Sequence, residues 1–334
     1  MYFITFILIF SSLLCAAHGN SFSLFTRRRT YLLKAFLPFM IFVHHSHLYN
    51  WDFYHIRYVV ALFFFMSGYG LETKRIVGGA EFINNKFLVN AFRKLIIPLI
   101  LPIIIFLILR LWSTPFSVIL DEDIKKYQII LPYTWFVVSL IILYIIYYLC
   151  VTITKKLNNN EKWYLGLVII IVLSFNFVGK MIGIPSWARN TTSVFIAGIL
   201  YRRNEYRIIS LLNRHTKMMA FILSTLLILI TIYIKGDIVA PSNGPLAIPS
   251  IAFIWSLCFI PLYSIIPESK NKVIGYLSSI SYELYICQSI AFILLGDRQQ
   301  YHPYLYLFAS FVLCTIVASV FHYITQLIFK DRNN

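Results

Sequence analysis

Long apolar runs separated by short polar segments are the dominant pattern along this chain. Eleven such runs are present, at residues 3–17, 31–48, 58–71, 95–112, 129–153, 163–178, 190–201, 218–235, 247–266, 273–296 and 304–329. A helix needs about 20 apolar residues to cross the hydrocarbon core of a bilayer. The pattern therefore predicts an all-α protein, a polytopic bundle of transmembrane helices.

Three of the runs leave alternatives open. The runs 58–71 and 190–201 are short for a membrane span. Either both helices extend into the flanking polar residues, or one of the two runs is re-entrant. The first run, 3–17, is either a retained helix or a cleaved signal peptide. The residues before it carry no basic side chain, which a signal peptide has ahead of its apolar core, so a retained helix is favoured.

Composition agrees with this pattern and excludes two classes of protein. Hydrophobic residues make up 59% of the chain and charged residues only 13%, whereas ordinary soluble domains have about 25% charged residues. Disordered chains combine low hydrophobicity with high charge, so disorder is excluded. A soluble enzyme is excluded because so few charges cannot cover a water-facing surface of this size. The expected surroundings of most of the chain are a lipid bilayer.

The net charge of +16 does not indicate a nucleic-acid partner, because the basic residues lie in short loops between apolar runs. They are concentrated in alternate loops, at Arg27–Arg29, Lys74, Arg75, Lys86, Arg93, Lys94, Lys155, Lys156, Lys162, Arg202, Arg203, Arg207, Arg214, Lys217, Lys270, Lys272, Lys330 and Arg332. Loops rich in Lys and Arg stay in the cytoplasm. The distribution predicts a cytoplasmic C-terminus and, with eleven spans, an N-terminus on the outside.

Ionisable side chains inside a membrane span are costly and usually functional, and the run 31–48 holds the densest group of them. Lys34 and His45 have ten residues between them, so on a helix they lie on one face, about 16 Å apart along the axis. The simpler alternative is that Lys34 reaches the inner surface while the histidines lie at the outer interface. A zinc site of His44, His45 and His47 is a further alternative. It lacks an acidic or cysteine partner nearby in the sequence, and we predict no metal.

Three segments, taken in order, resemble the acyltransferase-3 family of integral membrane acyltransferases. On its first core helix that family carries a basic residue, ten residues and then His, which Lys34 and His45 match with Lys in place of the commoner Arg. Phe63–Gly70 (FFFMSGYG) matches the family's aromatic run followed by Ser-Gly, and Ser279–Gln288 (SISYELYICQ) matches a late motif. The resemblance runs from about residue 30 to 329 and implies a core of ten spans.

The same resemblance divides the chain and shows where it departs from the family. It implies an N-terminal hydrophobic helix, residues 1–26, as an extra span, followed by an acyltransferase-3-like membrane domain, residues 27–334. Gln288 stands where the family frequently has His. Arg93 and Lys94 stand in a segment where the family often has an Arg-x-x-Arg pair, so basic charge is kept but not the spacing.

The resemblance implies transfer of an acyl group, commonly acetyl, from a cytoplasmic acyl-CoA donor to a hydroxyl of an extracytoplasmic polysaccharide or glycolipid. A bacterial inner membrane is the expected location. His45 is the expected general base, because an imidazole can take the proton of a hydroxyl near neutral pH, and Lys34 is its expected donor-side partner. Acetyl-CoA is strongly anionic, and cytoplasmic candidates for holding its phosphates are Lys74, Arg75, Arg93 and Lys94. The alternative for each of these four is membrane topology alone.

Small residues follow the aromatic run of the third apolar segment. Ser67 invites interpretation as a nucleophile, but no base is adjacent to it in the sequence. Ser67, Gly68 and Gly70 are better explained as small residues that let two helices approach closely.

Acidic and amide side chains in or beside the spans need partners. Glu72 is expected to pair with Lys74 or Arg75 at the inner edge of its span. Glu283 and Gln288 are expected to face the interior of the bundle, where a hydrogen bond satisfies them.

A transporter or flippase is the main alternative function. It would share this composition and would use the intramembrane Lys34 and His45 as a relay for protons or substrate. Transporters often contain inverted repeats and helices broken at Gly or Pro, and the sequence shows neither pattern. An acyltransferase is therefore the favoured prediction.

Overall fold

Every secondary-structure element that the structure describes is an α-helix. The structure is a computed structural model, and it describes residues 2–46, 56–79, 86–111, 130–157, 161–235, 244–296 and 302–330. In chain order the helices are α1 (Tyr2–Ala17), α2 (Thr30–His45), α3 (Ile56–Gly78), α4 (Phe87–Leu111), α5 (Trp135–Leu157), α6 (Glu161–Met181), α7 (Ser186–Arg189), α8 (Ser193–Asn213), α9 (Thr216–Lys235), α10 (Gly244–Ile265), α11 (Lys272–Ser279), α12 (Ser281–Leu295) and α13 (Pro303–Lys330). The prediction of an all-α membrane protein is confirmed.

Within the described residues, each of the eleven apolar runs lies mostly in helix. The two short runs extend into polar flanks, since α3 continues to Gly78 and α8 continues to Asn213. Among the described residues, five helices are long and apolar enough to cross a membrane: Phe87–Leu111, Trp135–Lys156, Trp163–Met181, Thr216–Tyr233 and Pro303–Ile328. The chain is thus an integral membrane protein, and the total of eleven spans stays a prediction.

The hydropathy pattern predicts one helix over 273–296, and here the structure differs. The run is divided into α11 and α12, which are bent by 70°. Asn271 caps the start of α11, because its side chain accepts hydrogen bonds from the backbone N–H groups of Val273 and Ile274. The backbone of Ile280, with φ −96° and ψ 10°, leaves the helical region and separates the two helices.

The chain forms two compact units, and the first contains residues Met1–Thr30, Phe53–Asn84 and Ile146–Ser269. Within it α1 packs against α9 and α10. The hydroxyl of Ser12 in α1 donates to the backbone carbonyl of Leu262 in α10 at 2.9 Å. The segment after α1 is tied to α8, because the side chain of Asn213 both accepts from and donates to the backbone of Phe22.

Helices α3 and α8 form the closest helix pair in the first unit, and two glycines allow it. A Cβ on Gly68 would lie 2.1 Å from the backbone oxygen of Phe195, and one on Gly198 would lie 2.2 Å from that of Phe65. The predicted packing role is therefore confirmed for Gly68. It is wrong for Gly70 as far as the described residues go, because a Cβ there would meet none of their atoms within 4 Å. Gly198, the counterpart on α8, was not identified from the sequence.

Replacing Gly68 with Ala should destabilise the protein by about 1–3 kcal/mol, since backbone atoms cannot turn aside as a side chain can. Thermal unfolding in detergent, followed by size-exclusion chromatography, measures the loss. Gly70→Ala is a matched control two residues along the same helix, and it should leave the unfolding temperature unchanged or slightly higher. Equal unfolding temperatures for the two variants would contradict the close contact between α3 and α8.

The second unit contains residues Tyr31–Asp52, Asn85–Ile145 and Lys270–Asn334. Aromatic rings join α2 to its neighbours in this unit. Phe39 and Phe42 contact Phe311 of α13, with ring centroids 4.9 and 5.4 Å apart. Phe42 also lies 4.8 Å from Phe292 of α12. These contacts place the C-terminal end of α2 against α12 and α13.

Candidate active site

Helix α2 carries Lys34 and His45, the two ionisable residues that are predicted to lie on one face of a helix. It runs from Thr30 to His45 and contains Pro38 without a break. Lys34 lies near its start and His45 is its last residue, and both side chains are partly buried. The prediction that the two residues share one face requires an unbroken helix between them, and α2 provides it, with about 16 Å of rise from one to the other.

His45 has a specific partner in α12. Its Nδ1 lies 2.9 Å from Oε1 of Gln288. Gln288 is buried, at 1% exposure, and its Nε2 donates to the backbone carbonyl of Tyr285 at 2.8 Å. The expectation that Gln288 faces the interior and is satisfied by hydrogen bonds is confirmed.

Tyr133 covers one face of the imidazole. The ring centroids of Tyr133 and His45 are 3.7 Å apart and the ring planes differ by only 10°. Tyr133 stands just before α5 with a positive φ of 69°, and the hydroxyl of Tyr285 donates a hydrogen bond to its backbone carbonyl. Sequence reasoning missed Tyr133, because no local pattern separates it from the other tyrosines of the chain.

The chemistry open to this group of side chains follows from the imidazole. A neutral imidazole donates from one ring nitrogen and accepts at the other, so it can take a proton from a hydroxyl. Gln288 is uncharged, and it therefore orients His45 without adding a negative charge beside it. The arrangement suits a general base held in place by its neighbours.

A second histidine lies elsewhere in the same unit. Nδ1 of His322 in α13 is 2.8 Å from Oε1 of Glu283, which is 5% exposed. The side chain of Gln326 contacts the other ring nitrogen of His322 at 2.7 Å. The predicted interior position of Glu283 is confirmed, whereas His322 was not singled out from the sequence.

The first unit contains a buried carboxylate, Glu72, with 0% exposure. Arg75 donates to it from Nε at 3.1 Å and from Nη2 at 2.9 Å. Arg203 of α8 donates from Nε at 2.9 Å. The hydroxyls of Tyr147 and Tyr164 donate at 3.1 and 2.5 Å. The predicted pairing of Glu72 with Arg75 is confirmed.

The four predicted phosphate-binding residues have different surroundings. Arg75 is partly buried by its ion pair, and its guanidinium also lies 4.8 Å from the centroid of the Tyr164 ring. Lys74 of α3 is exposed, as are Arg93 and Lys94 of α4. A donor-binding role for these residues stays a prediction.

No group of three potential metal ligands is found among the residues that the structure describes. His47, the third histidine of the zinc alternative, lies outside those residues. His44 and His45 are neighbours at the end of α2, with ring centroids 5.2 Å apart.

Comparison with known proteins places nearly the whole chain in one family. A family model described as an acyltransferase domain matches residues 2–323. No curated protein and no solved structure gives a significant match. The matched segment begins at the start of α1 and covers residues of both compact units, up to residue 323 in the second.

Proposed function

The chain belongs to the acyltransferase-3 family, and from this premise we propose that it transfers an acyl group, acetyl in the simplest case, across a bacterial inner membrane. The donor is a cytoplasmic acyl-CoA, and the acceptor is a hydroxyl of an extracytoplasmic polysaccharide or lipid-linked saccharide. The observation that supports this proposal is the imidazole of His45, held by Gln288 and stacked on Tyr133 at the end of α2.

His45 acts as the general base in the proposed reaction. The acceptor oxygen forms a bond to the acyl carbon of the thioester while the carbon–sulfur bond breaks. His45 accepts the hydroxyl proton and then passes it to the departing thiolate, so that coenzyme A leaves as the thiol and the imidazole is neutral again. General bases of this kind typically contribute about 10²–10⁴ in rate.

The basic residues act on the donor side in this proposal. Lys34 stabilises negative charge on the donor from the other end of α2, and the exposed side chains of Lys74, Arg93 and Lys94 attract the phosphates of coenzyme A. Arg75 contributes positive charge while its guanidinium remains paired with Glu72. This assignment accords with the positive-inside rule, which predicts that these basic residues lie on the cytoplasmic side.

Sealed membrane vesicles test the reaction and its direction together. Inside-out vesicles from the native host, given acetyl-CoA labelled in the acetyl group, should incorporate label into lumenal glycan as an ester that mild alkali releases. Right-side-out vesicles should incorporate none, because the donor does not reach the cytoplasmic face. Vesicles from cells that lack the gene are the control for background transfer.

The same assay separates the transporter alternative from the acyltransferase. A transporter or flippase would move label into the lumen without attaching it covalently, so the label would leave when the vesicles are made permeable. Equal covalent labelling with and without the gene would contradict the proposed function.

A further inference from the structure

The side-chain amide of Gln288 has only one orientation that satisfies its surroundings. A backbone carbonyl accepts hydrogen bonds and cannot donate them. The amide group next to the carbonyl of Tyr285, 2.8 Å away, is therefore the NH₂ of Gln288. The reversed amide would bring two acceptor oxygens together at a residue that is 1% exposed, and burying such an unsatisfied pair is costly. The amide oxygen consequently faces His45.

This orientation decides which nitrogen of His45 carries the proton. The amide oxygen of Gln288 only accepts, so Nδ1 of His45, 2.9 Å away, must be the donor. In the neutral imidazole the lone pair then lies on Nε2. We infer that Gln288 is a positioning residue that selects the Nδ1-protonated form of His45, and that Nε2 takes the proton from the acceptor hydroxyl. This inference rests on the proposed function.

Tyr133 and Tyr285 hold the imidazole of His45 in this orientation. A half-turn of the ring about the Cβ–Cγ bond would put Cδ2 in the place of Nδ1 and so break the contact with Gln288, and during the turn the ring would lose its stacking on Tyr133, whose centroid lies 3.7 Å away. Tyr285 supports both contacts of His45. Its backbone carbonyl holds the amide of Gln288, and its hydroxyl donates to the backbone carbonyl of Tyr133. One residue of α12 thus fixes both neighbours of the base.

Three variants of α12 test this role by kinetics. Gln288→Met keeps the length of the side chain but removes the acceptor, and it should lower kcat about 10²-fold while KM for donor and acceptor stays unchanged. Gln288→Glu keeps an oxygen that accepts from Nδ1 but loses the group that donates to the carbonyl of Tyr285, so it should recover only part of that loss. Ser289→Ala is the matched control, because the buried hydroxyl of Ser289 makes no hydrogen bond within the described part of the chain. An unchanged kcat in Gln288→Met would overturn the inference.

A spectroscopic measurement tests the same point without relying on activity. In protein labelled with ¹⁵N-histidine and reconstituted in lipid, the His45 signals are identified by their loss in His45→Ala. At about pH 8, where an ordinary imidazole is neutral, we expect a protonated Nδ1 and an unprotonated Nε2, and a mixture of the two forms in Gln288→Met. A protonated Nε2 in the wild-type protein, or protons on both nitrogens, would overturn the inference.

The two measurements separate the failure of this inference from the failure of the proposed function. If the wild-type protein transfers no acyl group but shows the expected form of His45, the proposed function fails and the role of Gln288 in fixing the imidazole stands. If transfer depends on His45 but not on Gln288, and the other form of the imidazole is present, the proposed function stands and the inference fails.

Discussion

His45→Ala is expected to lower acyl transfer by about 10²–10⁴-fold, because the acceptor hydroxyl then loses its general base. The variant should still insert and accumulate, since one histidine at the end of α2 contributes little to the apolar character of the helix. The measurement is acylation of the extracytoplasmic glycan, with the amount of membrane protein determined in the same cells. Full acylation by a well-expressed His45→Ala protein would reject His45 as the base.

Two neighbouring changes serve as controls for this result. His44→Ala removes the same side chain one position earlier, where it points about 100° away around the helix, and it should reduce transfer much less. At the other end of α2, Lys34→Arg keeps the positive charge and should retain more activity than Lys34→Ala. Equal losses in His44→Ala and His45→Ala would indicate damage to the end of the helix rather than loss of a base.

Glu72→Gln is expected to have the largest effect on stability, about 3–5 kcal/mol, because it removes the negative partner of two arginines at a buried site. Arg75 and Arg203 both lie 2.9 Å from the carboxylate, and Tyr147 and Tyr164 also donate to it. The unfolding temperature in detergent and the yield of folded protein measure the loss. Because these contacts join α3 to α5, α6 and α8, the effect should extend through the first unit.

Glu268→Gln is the comparison variant for this prediction. Glu268 pairs with Arg29 at 3.8 Å, and its side chain is 27% exposed, against 0% for Glu72. Ion pairs of this partly exposed kind contribute about 1 kcal/mol or less. A loss in Glu72→Gln no larger than that in Glu268→Gln would show that the two arginines find other partners when the carboxylate is removed.

The candidate site was only partly predictable, and the residues show why. Lys34 and His45 were identified from their spacing because both lie on one helix, whose geometry relates them directly. Gln288 was recognised as a polar residue that needs an interior partner, but that partner is 243 positions away in the sequence. Tyr133 carries no pattern that separates it from the other tyrosines of the chain, and its stacking on His45 depends on the positive φ of one loop residue.

Features that depend on the local order of residues along the chain follow from the sequence. Apolar runs of sufficient length become helices in a membrane because the backbone must satisfy its hydrogen bonds internally. Helix geometry likewise accounts for the pairing of Glu72 with Arg75, because residues three apart are neighbours on the surface of α3. The positions of the runs, the all-α membrane fold and these short-range pairs therefore follow from residue spacing alone.

The sequence does not show which helices face each other, and the packed fold does. Arg203 joins Glu72 across 131 positions of sequence, and Gly198 opposes Phe65 through a contact between backbones. The bend at Ile280 likewise interrupts a run whose hydropathy is continuous. Helices that are apolar on most faces carry little information about their partners, because lipid tails are as apolar as the side chains of another helix. Which helices pack together then depends on close approach at small residues and on contacts between a few polar side chains. Both kinds of contact form only when the helices are packed.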